Sequence, residues 1–458
     1  MKNNKNIKLG LVPLVVFSTC LSAADLDGFS ELQTNSETFV LNTCLGLLDT
    51  GENRNELQND LLTVCDPMVL TSAALRDAQG GDGQQQSVQE LAGGYQNVVG
   101  EETFAPLTIS AQASLGQYSS IASHINKIRK GSFGLASFQP KGKSFDLADA
   151  KTEFPSGGAP GDDDGLLSGS RLGFFVNTVG GFGETDRTER ENESDFYSIG
   201  VIAGVDYRVL DNLTVGLAGG YSRLNLDFAQ NIDVGGGSVE ADNYNISAYS
   251  TFYSGDFYVD GIFTYGWSDY EIDRKINVAL TNSNLFVSRD TFASPEGEQF
   301  NASLSSGYNF HTGGLTYGPY VRVTYLNANI DGYDEQGAGG LNLRVDDQDV
   351  DSLESIVGGQ ISYAFSQTFA VIVPHVRVEW HHEYFDSSRE FNVSYANASN
   401  NASLTLKSDR LDGDYFNVGA GVSANFKQGL QGFLDYETVL ELKNVENHIF
   451  TAGLRLEF

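Results

Sequence analysis

Two histidines and a glutamate in direct succession, His381-His382-Glu383, form the densest group of catalytic or metal-binding residue types in the sequence. They lie in a segment of alternating apolar and polar residues, which is typical of a β-strand. Neighbouring side chains of a strand point to opposite faces, so His381 and Glu383 share a face and His382 points away. One histidine and one carboxylate are too few for a zinc site. We therefore expect a hydrogen-bonded pair here and no metal centre.

The acidic run Asp346-Asp347-Gln348-Asp349-Val350-Asp351 could hold Ca²⁺ loosely through its carboxylate oxygens. It lacks the glycine and the terminal glutamate of an EF-hand loop, so a solvated acidic surface loop is the better interpretation. The sequence also lacks a Gly-x-Ser-x-Gly elbow, a phosphate-binding loop and a His-Glu-x-x-His motif. Because no nucleophile–base set emerges, we expect a protein that is not an enzyme and uses no cofactor or metal.

Cys44 and Cys65 are a second pair of residues whose spacing suggests chemistry. In an oxidising compartment, such a pair is typical of one disulfide, which would stabilise the fold by about 3 kcal/mol through loop closure. A metal site or a catalytic thiol would need histidine partners, and none lies nearby in the sequence. We expect a Cys44–Cys65 disulfide.

The first 24 residues have the order of a secretory signal peptide. Lysines precede an apolar stretch at residues 9–17, and small residues follow, with Ser22 and Ala24 placed for cleavage before Asp25. The apolar stretch is too short to span a membrane as a helix. Lipid attachment at Cys20 is the alternative, although the residues before it suit such a site poorly.

The overall charge is strongly acidic, with 28 Lys and Arg against 60 Asp and Glu. This excess of negative charge repels phosphates, so nucleic acid is not an expected partner. No run of 18 apolar residues occurs, which excludes a bundle of transmembrane helices. The 51 glycines, 29 phenylalanines and 21 tyrosines favour many short strands and tight turns.

From Ser170 to Phe458, apolar and polar residues alternate in segments of 10 to 15 residues. Between Tyr197 and Val209, for example, one face carries Tyr, Ile, Val and Ala, and the other mostly Ser, Gly, Asp and Arg. We count twelve such segments, which start near residues 170, 195, 213, 242, 257, 298, 315, 352, 369, 413, 430 and 446.

The links between these segments alternate in length. Links such as Leu210-Asp211-Asn212 are very short, whereas those at about residues 183–194, 228–241, 272–297, 328–350 and 386–411 are long and polar. Short turns at one end, long loops at the other and an even strand count are typical of an outer-membrane β-barrel. A soluble β-sandwich, the alternative, gives no reason for charged strand faces, whereas a lumen does. Six charged residues are predicted to face this lumen: Arg208, Arg322, Arg377, Glu379, Asp435 and Glu437.

The last predicted strand carries a possible assembly signal. The spacing Thr451-x-Gly453-x-x-Leu456-x-Phe458 is similar to the terminal signal by which outer-membrane barrels are recognised for insertion. An apolar strand with an unpaired edge can pair with an assembly machine. We therefore expect the barrel assembly machinery, periplasmic chaperones and the lipid bilayer as partners.

At this point the chain resembles the autotransporter translocator family, the twelve-stranded barrels of type V secreted proteins. The motifs that carry the resemblance are Gly204-Val205-Asp206-Tyr207-Arg208 and the segment from Pro374 to Glu383, which is similar to the family pattern P-x-x-x-x-x-W-x-H-E. The terminal Leu-Arg-Leu-Glu-Phe also matches, and the resemblance covers residues 170–458. It implies a monomeric barrel in the bacterial outer membrane with an α-helix in its lumen.

Residues 25–130 are predicted to form a small helical domain, unlike the passengers of several hundred residues that the family exports. Apolar residues between Leu115 and Ile128 recur at three- and four-residue spacing, which predicts a helix from about Pro106 to Lys130 with Gly131 as its cap. Earlier helices are predicted at about 36–48 and 56–75, and a loop at 80–86. Residues 131–169, rich in Gly, Pro and Asp, are predicted to be a flexible linker.

Two positions are open for the helix at residues 106–130. Its basic end, which contains His124, Lys127 and Arg129, could lie in the lumen against Glu379, Asp435 and Glu437. Alternatively, it packs in a small periplasmic or surface domain with its charges solvated, because a linker of about 39 residues is long for a helix that plugs the pore.

The first functional hypothesis is therefore a non-enzymatic outer-membrane autotransporter barrel that anchors a short helical domain and could translocate it. The helical domain would be periplasmic or exposed at the cell surface. The alternative is an outer-membrane pore or structural barrel that secretes nothing. An outer-membrane hydrolase is the third and weakest hypothesis, because no catalytic set emerges.

Overall fold

The computed structural model describes residue 26 and residues 28–77, 84–133, 171–188, 190–229, 235–410, 412–426 and 429–457. The predicted signal peptide and residues 134–169 of the predicted linker lie outside this set. Four helices come first: α1 (Glu31–Thr50), α2 (Glu56–Asp77), α3 (Gln85–Val99) and α4 (Ala105–Phe133). Short 3₁₀ turns at Gly51–Asn53 and Glu101–Phe104 connect them. No helix in the described ranges is long and apolar enough to cross a membrane.

Three of the four helices agree with the sequence patterns, and α3 does not. α1 begins at a capping box in which Ser30 Oγ accepts from Gln33 N at 3.2 Å and Gln33 Oε1 accepts from Ser30 N at 2.9 Å. Residues 85 and 86, expected in a loop, instead begin α3, which ends at Gly100 in the left-handed conformation (φ 70°). α4 continues through Gly131, its predicted cap, to Phe133.

Nineteen strands follow within the described residues. They are β1 (Leu172–Thr185), β2 (Ser194–Leu210), β3 (Leu213–Phe228), β4 (Gly237–Ser254), β5 (Phe257–Leu280), β6 (Leu285–Ala293), β7 (Glu296–Tyr308), β8 (Phe310–Thr312), β9 (Leu315–Ile330), β10 (Tyr333–Asp334), β11 (Leu343–Val345), β12 (Gln348–Tyr363), β13 (Phe365–Ser366), β14 (Ala370–Glu383), β15 (Glu390–Tyr395), β16 (Leu404–Lys407), β17 (Asp414–Phe426), β18 (Leu430–Leu440) and β19 (Val445–Glu457).

Twelve of these strands close into an antiparallel barrel: β1, β2, β3, β4, β5, β7, β9, β12, β14, β17, β18 and β19. Each pairs with the next along the chain, and β19 pairs back to β1 from Val445↔Thr185 to Glu457↔Gly173. The short strands β8 and β13 continue β7 and β12 at the short-turn end. Every predicted strand start lies within five residues of an observed one, so the twelve-stranded barrel is confirmed.

The two faces of the barrel wall follow the predicted alternation. Val323 and Leu434 point outward with 52% and 53% of their surface exposed, whereas the polar residues beside them point inward. Large inward rings fit because the neighbouring strand often carries glycine. A Cβ on Gly204 would lie 2.5 Å from the Phe175 ring, and one on Gly216 would lie 2.1 Å from the Tyr249 ring.

Several predicted loops are in fact strands. β5 extends to Leu280 and pairs with β6, while β10, β11, β15 and β16 form a separate four-stranded sheet. These elements follow β5, β9 and β14, the fifth, seventh and ninth strands of the barrel, at the end with the long loops. Their polar face resembles loop sequence, but the opposite face, including Val278 and Leu406, is buried. The apolar surface that they cover belongs to the N-terminal helices.

Candidate functional site: a helix in the lumen and a helical cap

Helix α4 runs through the barrel from the long-loop end to the short-turn end. Just before its start, Phe104 packs against Phe391 of β15, with ring centroids 4.8 Å apart. Near its end, Arg129 pairs with Asp260, which lies four residues after the short turn between β4 and β5. The structure thus selects the lumen position of the two that the sequence left open.

An apolar stripe on α4 packs against the barrel wall. Ile121, Ile125 and Ile128 are buried at spacings of four and three residues, so they lie on one face of the helix. Their partners are inward apolar side chains of the wall: Phe175, Ile202, Ala218, Tyr249 and Ile262. This stripe accounts for part of the helical periodicity in the sequence.

Three basic side chains of α4 each meet a lumen carboxylate. His124 Nε2 lies 3.2 Å from Asp206, Lys127 Nζ lies 3.1 Å from Asp435, and Arg129 pairs with Asp260. Of these three carboxylates, Asp435 is a partner predicted from the sequence, whereas Asp206 and Asp260 are not. Both lie on the polar faces of their strands, β2 and β5, and this pattern could have identified them as partners of the helix.

A second network of charges lies within the wall itself. Arg322 donates two hydrogen bonds to Glu379, at 3.0 and 3.2 Å, and Tyr320 donates a third to the same carboxylate at 2.5 Å. Arg377 pairs with Glu437, which also accepts from Ser119 of α4. Glu437 therefore contacts both a wall arginine and the helix, and Asp206, which pairs with Arg455 as well as His124, does the same.

All six predicted lumen charges lie on the inner face of the barrel. The contacts of five of them are given above. The sixth, Arg208, lies near the short-turn end and donates to Glu457 at 2.6 Å. The expected pairing of His381 with Glu383 is wrong: His381 Nε2 lies 3.2 Å from Glu379, whereas Glu383 accepts from the backbone N–H of Leu353. Glu379 and Glu383 both lie two residues from His381 on the same face of the strand. The alternation of the sequence therefore could not distinguish which of them pairs with the histidine.

The predicted assembly signal is divided between the two faces of β19. Thr451 and Gly453 are buried on the lumen side, and Leu456 points outward. Phe458 lies outside the described residues. The role of these four residues in assembly stays a prediction.

Little space is left between α4 and the wall. Two cavities line the described part of the helix, with volumes of about 30 and 50 Å³, which is room for a few water molecules. The helix therefore fills the lumen at these levels.

The helices α1–α3, residues 28–99, form a cap on the long-loop end of the barrel. Leu91 and Tyr95 of α3 are fully buried in a core that includes Ile276 and Val278 of the β5 extension. Phe39 of α1 stacks on Tyr395 of β15 with centroids 5.0 Å apart. The cap and the strand extensions thus share one hydrophobic core.

Polar contacts and a disulfide surround this core. Arg289 of β6 donates to both carboxylate oxygens of Asp60, at 2.6 and 2.8 Å. Glu90 accepts from the backbone N–H of Thr281 at 2.9 Å. The predicted disulfide joins Cys44 of α1 to Cys65 of α2, with Cα atoms 6.0 Å apart.

A protein-family model decides the identity of the barrel. The model described as the autotransporter β-domain matches residues 174–437, which is more than half of the chain. The chain belongs to the autotransporter family. As an autotransporter β-domain, the barrel lies in the bacterial outer membrane.

The chain is also similar to parts of longer curated proteins. The autotransporter is 21% identical over 286 residues to an extracellular serine protease of Serratia marcescens and 25% identical over 233 residues to the esterase EstA of Pseudomonas aeruginosa. The matches cover 62% and 49% of this chain but only 26% and 34% of those relatives. The chain thus spans about a quarter to a third of their length.

Two solved translocator domains are also similar. The autotransporter NalP of Neisseria meningitidis matches with a TM-score of 0.48 and 18% identity, over 65% of this chain and 90% of that one. The transport unit of AIDA-I from Escherichia coli matches with a TM-score of 0.47 and 14% identity, over 65% of this chain and 93% of that one.

The outer surface of this autotransporter barrel has an aromatic girdle at each end. Near the long-loop end, Tyr221, Tyr244 and Trp267 stand in a row with centroids 5.3 and 6.1 Å apart. Near the short-turn end, Tyr308 and Phe310 are 4.9 Å apart. Such girdles mark the two membrane–water interfaces of a transmembrane barrel.

A buried charge cluster joins the cap of the autotransporter to the barrel extension. Arg274 of β5 donates to Glu335 at 2.8 and 2.6 Å and to the carbonyl oxygen of Asn97, at the end of α3, at 2.9 Å. Glu102, between α3 and α4, is buried beside this pair. Burial raises the pKa of Glu102 to about 7, although Arg274 opposes the shift.

The acidic run at residues 346–351 is tied into β-structure. Asp347 accepts from the backbone N–H of Gly332 at 2.7 Å, Asp349 from Asn329 at 2.8 Å, and Asp351 from Tyr325 at 2.7 Å. Among the described residues, no three His, Cys, Asp or Glu side chains are grouped so that they could hold a metal ion. The expected surface loop is largely β12.

Proposed function

We propose that this autotransporter displays its cap, residues 28–99, on the cell surface as a permanently attached and non-enzymatic domain. The position of the cap supports this proposal, because it packs on the strand extensions at the long-loop end. Long loops of outer-membrane barrels face the exterior, and short turns face the periplasm.

The barrel then serves as the route by which the cap reaches the surface. The helix that follows the cap fills the lumen and ends near the short turns, where the first barrel strand begins. Export of the chain through the pore would end in this arrangement, because the last segment to pass outward would stay in the lumen. The barrel assembly machinery and periplasmic chaperones are the partners proposed for insertion.

An open pore, the alternative function, receives less support. Where the side chains of α4 are described, the spaces beside the helix are about 30 and 50 Å³, too small for solute passage. The extracellular protease and the esterase carry activities in their names, but the matches cover only 26% and 34% of those proteins. We therefore propose anchoring and display without catalysis.

Epitope staining of intact cells tests this function. An epitope inserted after Glu52, in the exposed turn between α1 and α2, should stain without permeabilisation. The same epitope inserted after Gln367, in a short turn, should stain only after the outer membrane is opened. Staining of the Glu52 insertion only in opened cells would show that the cap stays in the periplasm.

A further inference from the structure

A large cleft lies at the long-loop end of the barrel, beside the cap. Its volume is about 1,100 Å³, and its walls come from the start of α1, the start of α4 and the loops that follow β1, β14, β16 and β18. Pockets of about 300–1,000 Å³ hold small-molecule ligands in proteins, so this cleft could hold a ligand of oligosaccharide size.

The cleft gathers five cationic side chains of a strongly acidic protein, and four of them are already paired. Each paired cation has a carboxylate of the cleft within 3.3 Å: Arg190 with Glu31, Arg410 with Asp386, Lys407 with Glu390 and Lys443 with Asp412. The fifth, Arg389, forms no ion pair with any residue that the structure describes. Burial lowers the pKa of Arg389, while the nearby Glu191 opposes this shift.

Asn192 is a second group in the cleft wall without a partner. It is only 5% exposed, and neither its amide nitrogen nor its amide oxygen has a hydrogen-bond partner within the described part of the chain. Buried polar groups are nearly always hydrogen-bonded, so an unpartnered amide needs an explanation. A ligand hydroxyl could both donate to and accept from it.

The remaining walls limit the kind of ligand. Phe104, Leu226 and Phe228 give the cleft an apolar side, on which the C–H face of a sugar ring can pack. Among the described residues, six carboxylates line the cleft against five cations, so a ligand with two or more negative charges would meet net repulsion. A single carboxylate fits one free guanidinium, which can bind it through two parallel hydrogen bonds.

We propose that this cleft binds a short acidic saccharide, with a sugar carboxylate on Arg389 and a sugar hydroxyl on Asn192. The site faces the long-loop end and uses residues that no lumen contact requires. It gives the protein a ligand-binding activity in addition to display of the cap.

Calorimetric titration of the purified full-length protein in detergent tests the proposal. The probes are aldotriouronate (a trisaccharide with a single carboxylate), the neutral maltotriose and inorganic phosphate. Aldotriouronate should bind at least ten times more tightly than either of the others. Arg389→Gln should weaken aldotriouronate binding at least tenfold, and Asn192→Asp should do the same by adding a negative charge. Arg344→Gln, which removes an exposed arginine outside the cleft, should bind like the wild type.

Several outcomes would overturn the proposal. The first is no binding of aldotriouronate at about 10 mM, which corresponds to a binding free energy weaker than about −3 kcal/mol. The others are phosphate binding as tight as aldotriouronate binding, or wild-type affinity in Arg389→Gln. If Arg389→Gln does not fold, as judged by heat-modifiable migration on gels, Asn192→Asp decides. Because the protein is purified, the titration does not depend on which side of the membrane the cap occupies.

Discussion

Helix α4 adds ion pairs of His124, Lys127 and Arg129 to its apolar stripe, whereas the core of the cap interface is apolar and includes Phe39, Leu91 and Tyr95. Both interfaces join helices to the β-structure, one inside the barrel and one above it. Inside, a wall of carboxylates accepts a helix whose cations match it. Above, extended strands present an apolar face on which the cap helices fold.

The difference follows from the surroundings in which each interface forms. An empty lumen contains water, so a wall of carboxylates and arginines is compatible with the barrel before the helix is in place. Buried ion pairs contribute little net stability because desolvation offsets their attraction, but they fix position and register. Buried apolar area stabilises by about 25 cal/mol per Å², so we expect the apolar interface to supply most of the free energy that keeps the cap docked.

The largest predicted effect comes from a charge in the cap interface. Val278→Asp places a carboxylate beside Met68 and Leu280 in the shared core, which should cost on the order of 4 kcal/mol and release the cap. Limited proteolysis of the purified protein should then remove the cap while the barrel stays intact. Ala279→Asp, one residue along on the exposed face, should leave the cap protected. Equal protection of the cap in both variants would contradict the shared core.

The second-largest predicted effect tests whether the ion pairs in the lumen stabilise the docked helix α4 or only fix its position. Asp435→Asn leaves Lys127 and His375 without their carboxylate, which should cost about 3 kcal/mol. Combining it with Lys127→Met should recover most of this loss, because the unpaired charge is gone. Hydrogen exchange of the α4 amides in detergent measures both values. A double variant as unstable as the single one would mean that the ion pair itself holds the helix.

The smallest predicted effect is a pH dependence at the junction of the two interfaces. The pKa of Glu102 is about 7 in the folded protein against an ordinary value of 4.5, so its contribution to stability is complete below pH 4.5 and is lost as the pH rises to 7. The groups that face it are Arg274 and Glu335 of the barrel extension, with Tyr333 and Tyr395 nearby.

Protection of the cap from proteolysis should therefore weaken by on the order of 2 kcal/mol between pH 5 and pH 8. Glu102→Gln, which cannot ionise, should remove most of this dependence. A pH dependence that is unchanged in Glu102→Gln would assign the titration to another group.

The barrel could be predicted from sequence because its signals are local. Alternation within a strand and the length of each turn need no knowledge of distant residues, and they located all twelve strands. The cap interface could not be predicted in this way. Val278 and Leu406 lie in segments that the sequence predicts as loops, because polar residues alternate with the apolar ones there. The helices that cover these two side chains lie far away in the chain. α3 was missed because Gln and Gly surround its apolar residues.

The position of α4 needed distances that the sequence does not contain. The helix itself was clear from the spacing of Ile121, Ile125 and Ile128. The residues that place it in the lumen are Asp206 and Asp260, 82 and 131 positions away from their partners on the helix. The length of the linker favoured a position of the helix outside the lumen. The end of the helix and the start of β1 nevertheless both lie at the short-turn end of the barrel, which is possible because a long linker does not force its two ends apart.

Cross-linking in living cells tests most directly whether α4 occupies the lumen. Asn177 of β1 donates to Ser120 Oγ at 3.1 Å, so cysteines at both positions should react with a short bifunctional thiol reagent. The matched pair, Ser120→Cys with Val176→Cys on the lipid face of the same strand, should not react. We predict an internal cross-link, detected by mass spectrometry, in the first pair alone. Its absence from both pairs, in cells where the barrel is assembled, would contradict the account.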